Sequence, residues 1–265
     1  MAEPLQVLVD DGGEPLPLGD ELTRLYGGPL SLPPTALYAN FVQSIDGVVA
    51  MAEADSSGSV ISGKSPADRF AMGLLRATAD AVLVGAGTMR DTPNHHWTAD
   101  HVFPELQPQW RQLRAALGTS AQPRLVLLSA SGAIDVGHPA VRGGATILTT
   151  RAGARRLGEI APGDCEVRAF DSDRVPLREA FAWLREQGYA RILTEAGPHV
   201  TGQLLREGLL DDIFVTQAPV LAGRDGGGRL GLVEGAAFLP KQRLAARLTS
   251  ARRSGDFLLL RYTLG

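Results

Sequence analysis

Cysteine is nearly absent from this sequence, which also contains neither a long apolar run nor a strong excess of one charge. The single cysteine, Cys165, cannot form an intrachain disulfide, and no Cys-x-x-Cys motif is present to bind structural zinc, which favours a reducing compartment. No stretch of about 18 apolar residues could span a bilayer, and the segment Met1 to Asp10 lacks the apolar core of a signal peptide. The net charge of -3 offers no general attraction to nucleic acid or anionic lipid. We therefore expect a cytoplasmic protein with neither a nucleic-acid nor a membrane partner.

The composition is that of a globular protein. Hydrophobic residues make up 44% of the 265 positions and charged residues 21%, so the chain can bury a large core without disulfides or metals. Residues 1–36 are acidic and rich in proline, with one predicted helix at Asp20–Tyr26, and we interpret them as an N-terminal extension. Residues 37–265 are predicted to form one domain.

Strand and helix patterns alternate from Tyr38 to Gly208. Short apolar runs predict buried parallel strands at Ala81–Val84, Leu125–Leu128, Ala145–Leu148 and Arg191–Leu193. Helical patterns occur at Ser65–Ala77, Glu105–Leu117, Gly153–Ile160, Pro176–Gln187 and His199–Glu207. The alternation predicts an α/β fold in which helices flank a mostly parallel central sheet.

The C-terminal part has a different pattern. Three extended segments, Asp212–Ala218, Leu244–Ser250 and Phe257–Thr263, follow one another without predicted helices, which is typical of antiparallel strands. The apolar stretch Phe257–Leu260 would leave an aggregation-prone sheet edge if it were unpaired, so we expect this edge to form the interface of a homodimer. The glycine-rich segment 223–231 is interpreted as a flexible connector.

Three strand-to-turn segments contain the candidate site residues. The first runs from a predicted strand into Gly85, Ala86, Gly87 and Thr88, where glycine allows close backbone approach and free N–H groups can bind phosphate. A tight turn without a ligand explains this segment equally well, and the third glycine of a Rossmann fingerprint is missing.

The second segment places a carboxylate, Glu195, at the end of a predicted buried strand. A buried carboxylate needs a partner, so Glu195 belongs either to a structural ion pair or to a site at the carboxyl edge of the sheet, and we favour the site. Gly197 then opens a helix whose first N–H groups, through Thr201, suit a pyrophosphate. In the third segment, Asn40 and Ser44 interrupt an apolar strand, while Asp46 and Gly47 by themselves indicate only a turn.

Together these segments resemble a known family. Ser44-Ile45-Asp46-Gly47, Leu75-Arg76, Gly85-Ala86-Gly87-Thr88 and Thr194-Glu195-Ala196-Gly197-Pro198 are similar, in matching order, to the reductase domain of the bacterial bifunctional riboflavin-biosynthesis deaminase/reductase. The resemblance extends from about Tyr38 to Thr263. It implies a dihydrofolate-reductase-like fold, NADPH as the cofactor, a homodimer, and reduction of 5-amino-6-(5-phosphoribosylamino)uracil to its ribitylamino form.

The resemblance also implies roles for individual residues. It implies substrate contacts at Arg76 and Glu195 and in the stretch Ser57–Ser62, where Ser62 is the candidate. By their chemistry Glu195 and Asp46 are the candidate catalytic carboxylates, Arg76 would bind an anionic part of the substrate, and Asn40 is a further candidate substrate contact. The candidate cofactor contacts are Val42, Gly85, Gly87, Thr88, Asp91, Ser129, Gly197, Pro198, His199, Val200, Thr201 and Gly202.

The sequence departs from the family pattern around Pro93. Of the acidic pair expected before this proline only Asp91 remains, and the basic residue expected after it, which would meet a substrate phosphate, is replaced by His95-His96-Trp97. Adjacent histidines on an extended loop diverge, and no carboxylate pair stands at ligand spacing, so we predict no metal site. The His-x-Glu and Pro-Cys-x-x-Cys motifs of the zinc-dependent deaminase are also missing.

These departures leave two other functions open. One is reduction of a pterin such as dihydrofolate, in which a carboxylate would bind the 2-amino and N3 edge of the ring. The other is NADPH binding without catalysis.

Overall fold

The computed structural model describes residues 3–52, 56–158, 164–224 and 227–265. The strands are β1 (Gln6–Asp10), β2 (Ala36–Gln43), β3 (Ala50–Met51), β4 (Ala81–Gly85), β5 (Arg124–Leu128), β6 (Ala145–Thr150), β7 (Glu166–Phe170), β8 (Arg191–Thr194), β9 (Asp212–Gln217), β10 (Arg229–Leu230), β11 (Ala246–Ser254) and β12 (Phe257–Leu264). The helices are α1 (Asp20–Tyr26), α2 (Ser57–Ser62), α3 (Pro66–Thr78), α4 (Ala86–Arg90), α5 (Ala99–Val102), α6 (Gln107–Ala116), α7 (Pro139–Arg142), α8 (Arg151–Leu157), α9 (Leu177–Glu186) and α10 (Pro198–Arg206), with a 3₁₀ turn at Pro104–Leu106.

Across the described residues, one sheet has the strand order β1-β11-β12-β9-β2-β8-β4-β5-β6-β7. From β9 to β7 every neighbouring pair is parallel, whereas β1, β11, β12 and β9 pair antiparallel. The predicted α/β fold, with a mostly parallel sheet and antiparallel C-terminal strands, is therefore confirmed.

Both faces of the sheet are covered, which explains the continuous apolar runs of its central strands. In β4, Val82 and Val84 join the apolar layer with α1, α3 and α6, while Ala81 and Leu83 join the opposite layer with α9 and α10. Successive side chains of a strand point to opposite faces, so a strand buried between two layers needs apolar residues at every position.

Among the described helices, none combines the length and the apolar character that crossing a membrane requires.

The predicted helices are present, α1 with the predicted bounds and the others with shifted bounds. The one predicted at Glu105–Leu117 is divided into the 3₁₀ turn and α6, with Pro108 in the first turn of α6. The one predicted at Gly153–Ile160 begins earlier, at Arg151, and its predicted last two residues lie outside the described part of the chain. In the predicted connector 223–231, Arg229–Leu230 forms β10 and pairs with β3, while residues 225–226 are not described.

Residues 3–36 contribute to the same sheet and core as the rest of the chain. Strand β1 pairs with β11, and Leu22 of α1 is fully buried. The buried guanidinium of Arg252 donates to the Asp10 carboxylate at 2.7 Å and to the Tyr26 carbonyl at 2.8 Å, and lies 3.8 Å from the centre of the Tyr26 ring. The N-terminal segment is thus packed against the C-terminal strands, and the division at residue 36 stays a prediction.

The prediction that Phe257–Leu260 forms an edge of the sheet is wrong. Strand β12 is paired on both sides, with β11 and with β9, because β11 and β1 extend the sheet beyond it. The physical argument for an interface at this stretch is thereby lost, while the homodimer itself stays a prediction.

Candidate active site

A cleft opens at the carboxyl ends of the adjacent strands β2, β8 and β4, where open α/β sheets bind their ligands. It consists of two adjoining cavities. The strand-side cavity, of about 190 Å³, is lined by the end of β2 and the start of α10. The loop-side cavity, of about 310 Å³, is lined by α3 and the loop around residues 92–101. Both share the residues Ser56, Gly58, Asp68, Met72, Thr88, Thr92 and Glu195.

Glu195 and Arg76 form a buried bidentate ion pair between β8 and α3. Arg76 donates from Nε to Oε1 at 2.9 Å and from Nη2 to Oε2 at 2.6 Å, and the two side chains are 2% and 10% exposed. Arg76 Nη1 also donates to the carbonyls of His96 and Thr98 at 3.3 and 3.4 Å. Arg76 is therefore engaged by the protein itself, and the part of the predicted role that needs a free guanidinium is not supported by this geometry.

His95 completes the surroundings of this ion pair. Its Nε2 lies 2.9 Å from Arg76 Nη2, and since guanidinium can only donate, Nε2 is the acceptor. Burial, reinforced by the neighbouring Arg76 charge, lowers the pKa of His95 to about 2. His95 is thus a neutral hydrogen-bond acceptor at physiological pH and helps to hold Arg76 against Glu195.

Asp68 is a second buried carboxyl group in the cleft, and the sequence reasoning missed it. It lies in the first turn of α3, is 3% exposed, and lines both cavities. Burial raises its pKa to about 6, although hydrogen bonds from Thr216 and Ser62 act in the opposite direction. No ion pair to Asp68 is formed by the described residues. A carboxyl group with such a pKa can exchange a proton near neutral pH.

Asp46 lies elsewhere, on the exposed turn after β2. Its carboxylate accepts hydrogen bonds from the backbone N–H groups of Ala222 and Gly223 at 2.9 and 2.8 Å. Hydrogen bonds from the Ser44 hydroxyl and these N–H groups lower the pKa of Asp46 to about 2. This side chain does not line the cleft and joins two loops beside it.

The start of α10 borders the strand-side cavity, and the N–H groups of Val200 and Thr201 there donate to the Gly197 carbonyl. The residue before the helix, Gly197, provides no side-chain cap, and Gly197 and Pro198 line the cavity. The hydroxyl of Thr201 is buried in this first turn and finds no hydrogen-bond partner among the described residues. At Gly202 a Cβ atom would overlap the Glu234 carbonyl oxygen, so this glycine allows close packing of the helix on the following loop.

Comparison with known proteins places the chain in a family. The model of the RibD C-terminal domain matches residues 35–260. The chain belongs to the RibD C-terminal domain family. No curated protein matches it.

Solved structures share the fold. A pyrimidine reductase-like protein from Corynebacterium diphtheriae is 22% identical with a TM-score of 0.69, over 93% of this chain and 99% of that one. RibD from Acinetobacter baumannii is 18% identical with a TM-score of 0.65, over 88% of this chain and 59% of that one. A Thermotoga maritima diaminohydroxyphosphoribosylaminopyrimidine deaminase/5-amino-6-(5-phosphoribosylamino)uracil reductase is 18% identical with a TM-score of 0.64, over 87% and 57%. The chain thus spans less than two thirds of these two longer proteins.

Within this RibD C-terminal domain, the cleft brings together only part of the predicted site. Its walls include Asn40, Val42, Ser62, Arg76, Thr88, Asp91, Glu195, Gly197 and Pro198. The lining does not include Asp46, Gly85, Gly87, Ser129, His199, Val200, Thr201 or Gly202. Gly85 and Gly87 shape the turn that presents Thr88, and Ser129 lies buried at the end of β5, where its carbonyl accepts from Thr149 at 2.6 Å.

A signal for Asp68 was present in the sequence of this RibD C-terminal domain. Asp68, Met72 and Arg76 recur every four residues and therefore share one face of α3. Since Arg76 was already a candidate, the acid two turns before it lay on the same wall. An acidic residue in a first helical turn is, however, also explained by its favourable interaction with the helix dipole, so Asp68 did not stand out as a site residue. The described residues hold no group of three or more His, Cys, Asp or Glu side chains arranged to bind a metal.

Proposed function

We propose that this chain is an NADPH-dependent reductase of 5-amino-6-(5-phosphoribosylamino)uracil. The observation that carries the proposal is the position of two carboxyl groups, Asp68 and Glu195, on the wall shared by two adjoining cavities. One cavity ends at the uncapped start of a helix and the other is walled by polar and basic side chains. Membership in the RibD C-terminal domain family supports the reductive chemistry.

The strand-side cavity fits a dinucleotide phosphate. Its floor contains Gly197, around which a Cβ atom would meet nothing within 4 Å, so a ligand can approach the backbone closely. The helix start supplies a positive dipole end to an anionic group in this cavity. Val42, Thr88 and Asp91 would line the remaining length of the bound cofactor.

When bound, NADPH supplies a hydride to the electrophilic carbon of the substrate. For a ribosylamine that carbon is C1′ of the ring-opened imine: a C–H bond forms at C1′, the C=N π bond breaks, and the nitrogen takes up a proton. Asp68 is the group placed to deliver this proton, since it lines both cavities and its carboxyl titrates at a pKa of about 6. Glu195, held in place by its bidentate pair with Arg76, would accept hydrogen bonds from the N–H groups of the base and orient it.

Reduction of a pterin is the second candidate function. A buried carboxyl beside a cleft can bind the 2-amino and N3 edge of a pterin as well as it can deliver a proton, and Asp68 meets this requirement. The test is NADPH oxidation measured in parallel with the phosphoribosylaminouracil and with dihydrofolate. Turnover of the uracil alone supports the first proposal, and turnover of dihydrofolate alone replaces it with the second. Tight NADPH binding without turnover of either would leave a non-catalytic binding protein.

The cofactor choice has a separate measurement. Titration of the protein with NADPH and NADH, followed by fluorescence, should show tighter binding of NADPH. Equal affinities would remove NADPH specificity from the proposal without affecting the reductase assignment.

A further inference from the structure

The loop-side cavity has an uneven distribution of charge. Two acidic groups line it, Asp68 and Glu195, of which Glu195 is neutralised by Arg76. Two further cations, Lys64 and Arg69, also line it, and in the described part of the chain neither forms an ion pair with a carboxylate. An anionic group that enters this cavity would therefore be repelled by Asp68 when that side chain is ionised and attracted by Lys64 and Arg69.

Lys64 adopts a backbone conformation that lysine disfavours. Its φ of 58° lies in the left-handed region, directly after Gly63, which has a φ of 57° and ends α2. Non-glycine residues disfavour this region, and such strain is concentrated at functional sites. The chain contains 24 arginines but only two lysines, Lys64 and Lys241. Glycine would adopt this backbone at position 64 without strain, so a function of the lysine side chain would account for its presence there.

Arg69 is held in place with one donor group free. Its Nε and Nη2 donate to the Val102 carbonyl at 3.0 and 2.6 Å, which fixes the guanidinium against the last residue of α5. Within the described residues Nη1 has no hydrogen-bond acceptor, and it is the donor left for a ligand. His101, whose pKa is lowered by burial, lines the same cavity as a neutral ring that can donate one hydrogen bond.

We propose that Lys64 and Arg69 bind an anionic substituent of the substrate, a phosphate or a carboxylate, in the loop-side cavity. This inference deepens the proposed function and rests on it for the identity of the ligand. It assigns the anion contact to the start of α3, whereas Arg76 is occupied by Glu195 and the segment after Pro93 supplies only histidines. The substrate would then lie with its N–H donors toward Asp68 and Glu195 and its anionic end toward Lys64.

The proposal is tested by calorimetric titration of the NADP⁺-saturated protein with ribose 5-phosphate, ribose and N-benzoylglutamate. Ribose 5-phosphate should bind at least about tenfold more tightly than ribose, the contribution of one charge-assisted contact. Tighter binding of N-benzoylglutamate than of ribose 5-phosphate would identify the anion as a carboxylate. Equal binding of all three probes would overturn the proposal.

The variant Lys64→Gly removes the charge and relieves the backbone strain at once. We expect it to weaken ribose 5-phosphate binding about tenfold while its melting temperature stays the same or rises. Lys241→Gly is the matched control and should change neither the affinity nor the charge of the cavity, because Lys241 lies outside its lining. Unchanged affinity in Lys64→Gly would show that the lysine is only a loop residue. Lys64→Asn, which tolerates left-handed φ, repeats the measurement with a side chain present.

Two further outcomes distinguish this proposal from a site for the cofactor phosphate and from the proposed function itself. If ribose 5-phosphate displaces NADP⁺, the cations serve the cofactor phosphate and the substrate assignment is wrong. If the phosphoribosylaminouracil is not reduced but ribose 5-phosphate still binds through Lys64, the anion site stands and the proposed function fails.

Discussion

Asp68 and Asp46 are the same residue type near the same cleft, yet their surroundings shift their pKa values in opposite directions. Burial raises the pKa of Asp68 to about 6, whereas hydrogen bonds from Ser44, Ala222 and Gly223 lower that of the exposed Asp46 to about 2. The first group can exchange a proton near neutral pH and the second stays charged. The comparison shows that an aspartate of this site can exchange protons near neutral pH when its carboxyl group is buried away from water and has no ion-pair partner among the described residues. Asp46, which precedes Gly47 in an exposed turn, stays in contact with water and accepts hydrogen bonds that stabilise its charge.

The largest effect is expected at the third carboxyl group, Glu195. Glu195→Gln leaves the Arg76 guanidinium buried without its counter-charge, so the free energy of unfolding should fall by about 3–5 kcal/mol. Thermal or denaturant unfolding measures this directly. Turnover should also fall, by roughly a hundredfold, if Glu195 orients the substrate. Normal activity combined with a lowered melting temperature would restrict Glu195 to a structural role.

Asp68→Asn should change the free energy of unfolding by nearly as much as Glu195→Gln, but it should raise the stability instead of lowering it. The folded-state pKa, about 6, lies above the ordinary value of 3.8, so the favourable contribution of Asp68 is present below pH 4 and is lost as the pH rises through 6. The difference corresponds to about 3 kcal/mol, because one pKa unit is about 1.4 kcal/mol. At pH 8 the variant should therefore be more stable than the parent chain, and at pH 4 equally stable.

Asp68→Asn also tests the proton-delivery role. Turnover should fall by about a hundredfold, since the amide cannot transfer a proton, and the decline of parent activity above pH 6 should disappear. A variant that keeps both its rate and that decline would remove Asp68 from the mechanism.

Gly202→Ala is expected to cost about 1–3 kcal/mol of stability, the usual range for overpacking a close contact. The Cβ would displace the Glu234 carbonyl and with it the loop that follows β10. Gly208→Ala, at a position where a Cβ meets nothing within 4 Å but φ is 61°, is a control for backbone strain without overlap. Equal losses in the two variants would mean that the packing contact contributes little.

The smallest effect is expected from Asp46→Asn. The amide oxygen can replace only one of the two carboxylate oxygens that accept from Ala222 and Gly223, but the side chain is exposed, so melting temperature and NADPH affinity should stay close to those of the parent chain at neutral pH. Turnover is expected to change by no more than about threefold. A fall comparable to that of Asp68→Asn would reverse the comparison between the two aspartates.

The fold was predictable because its central strands obey a simple rule. Ala81–Val84 is apolar at every position since helices cover both faces, and this can be seen without coordinates. The order of the strands could not be obtained in this way. The pairing of β12 with β11 and β9 depends on contacts between residues far apart in sequence, and β1 carries no local signal strong enough to identify its partner.

The site was predictable where a turn imposes its geometry. Gly197, Thr88 and Glu195 lie at the ends of parallel strands, and such ends meet at one edge of a sheet. The use of Arg76 by Glu195 and the burial of Asp68 both arise from packing α3 against β8 across more than a hundred residues of chain. No local sequence pattern predicts such a pairing. The sequence therefore could not decide whether Glu195 belongs to a structural ion pair or to a functional site.

The pairing of β1 with β11 also constrains the order in which the molecule can be assembled. Residues 6–10 are synthesised long before their partner residues 250–253, so this part of the sheet cannot close while the residues between them are being made. The parallel strands β4, β5 and β6 lie closer together in the chain and can associate earlier. Strand β1 is thus secured only after its distant partner β11 has been made, and Arg252 completes its attachment.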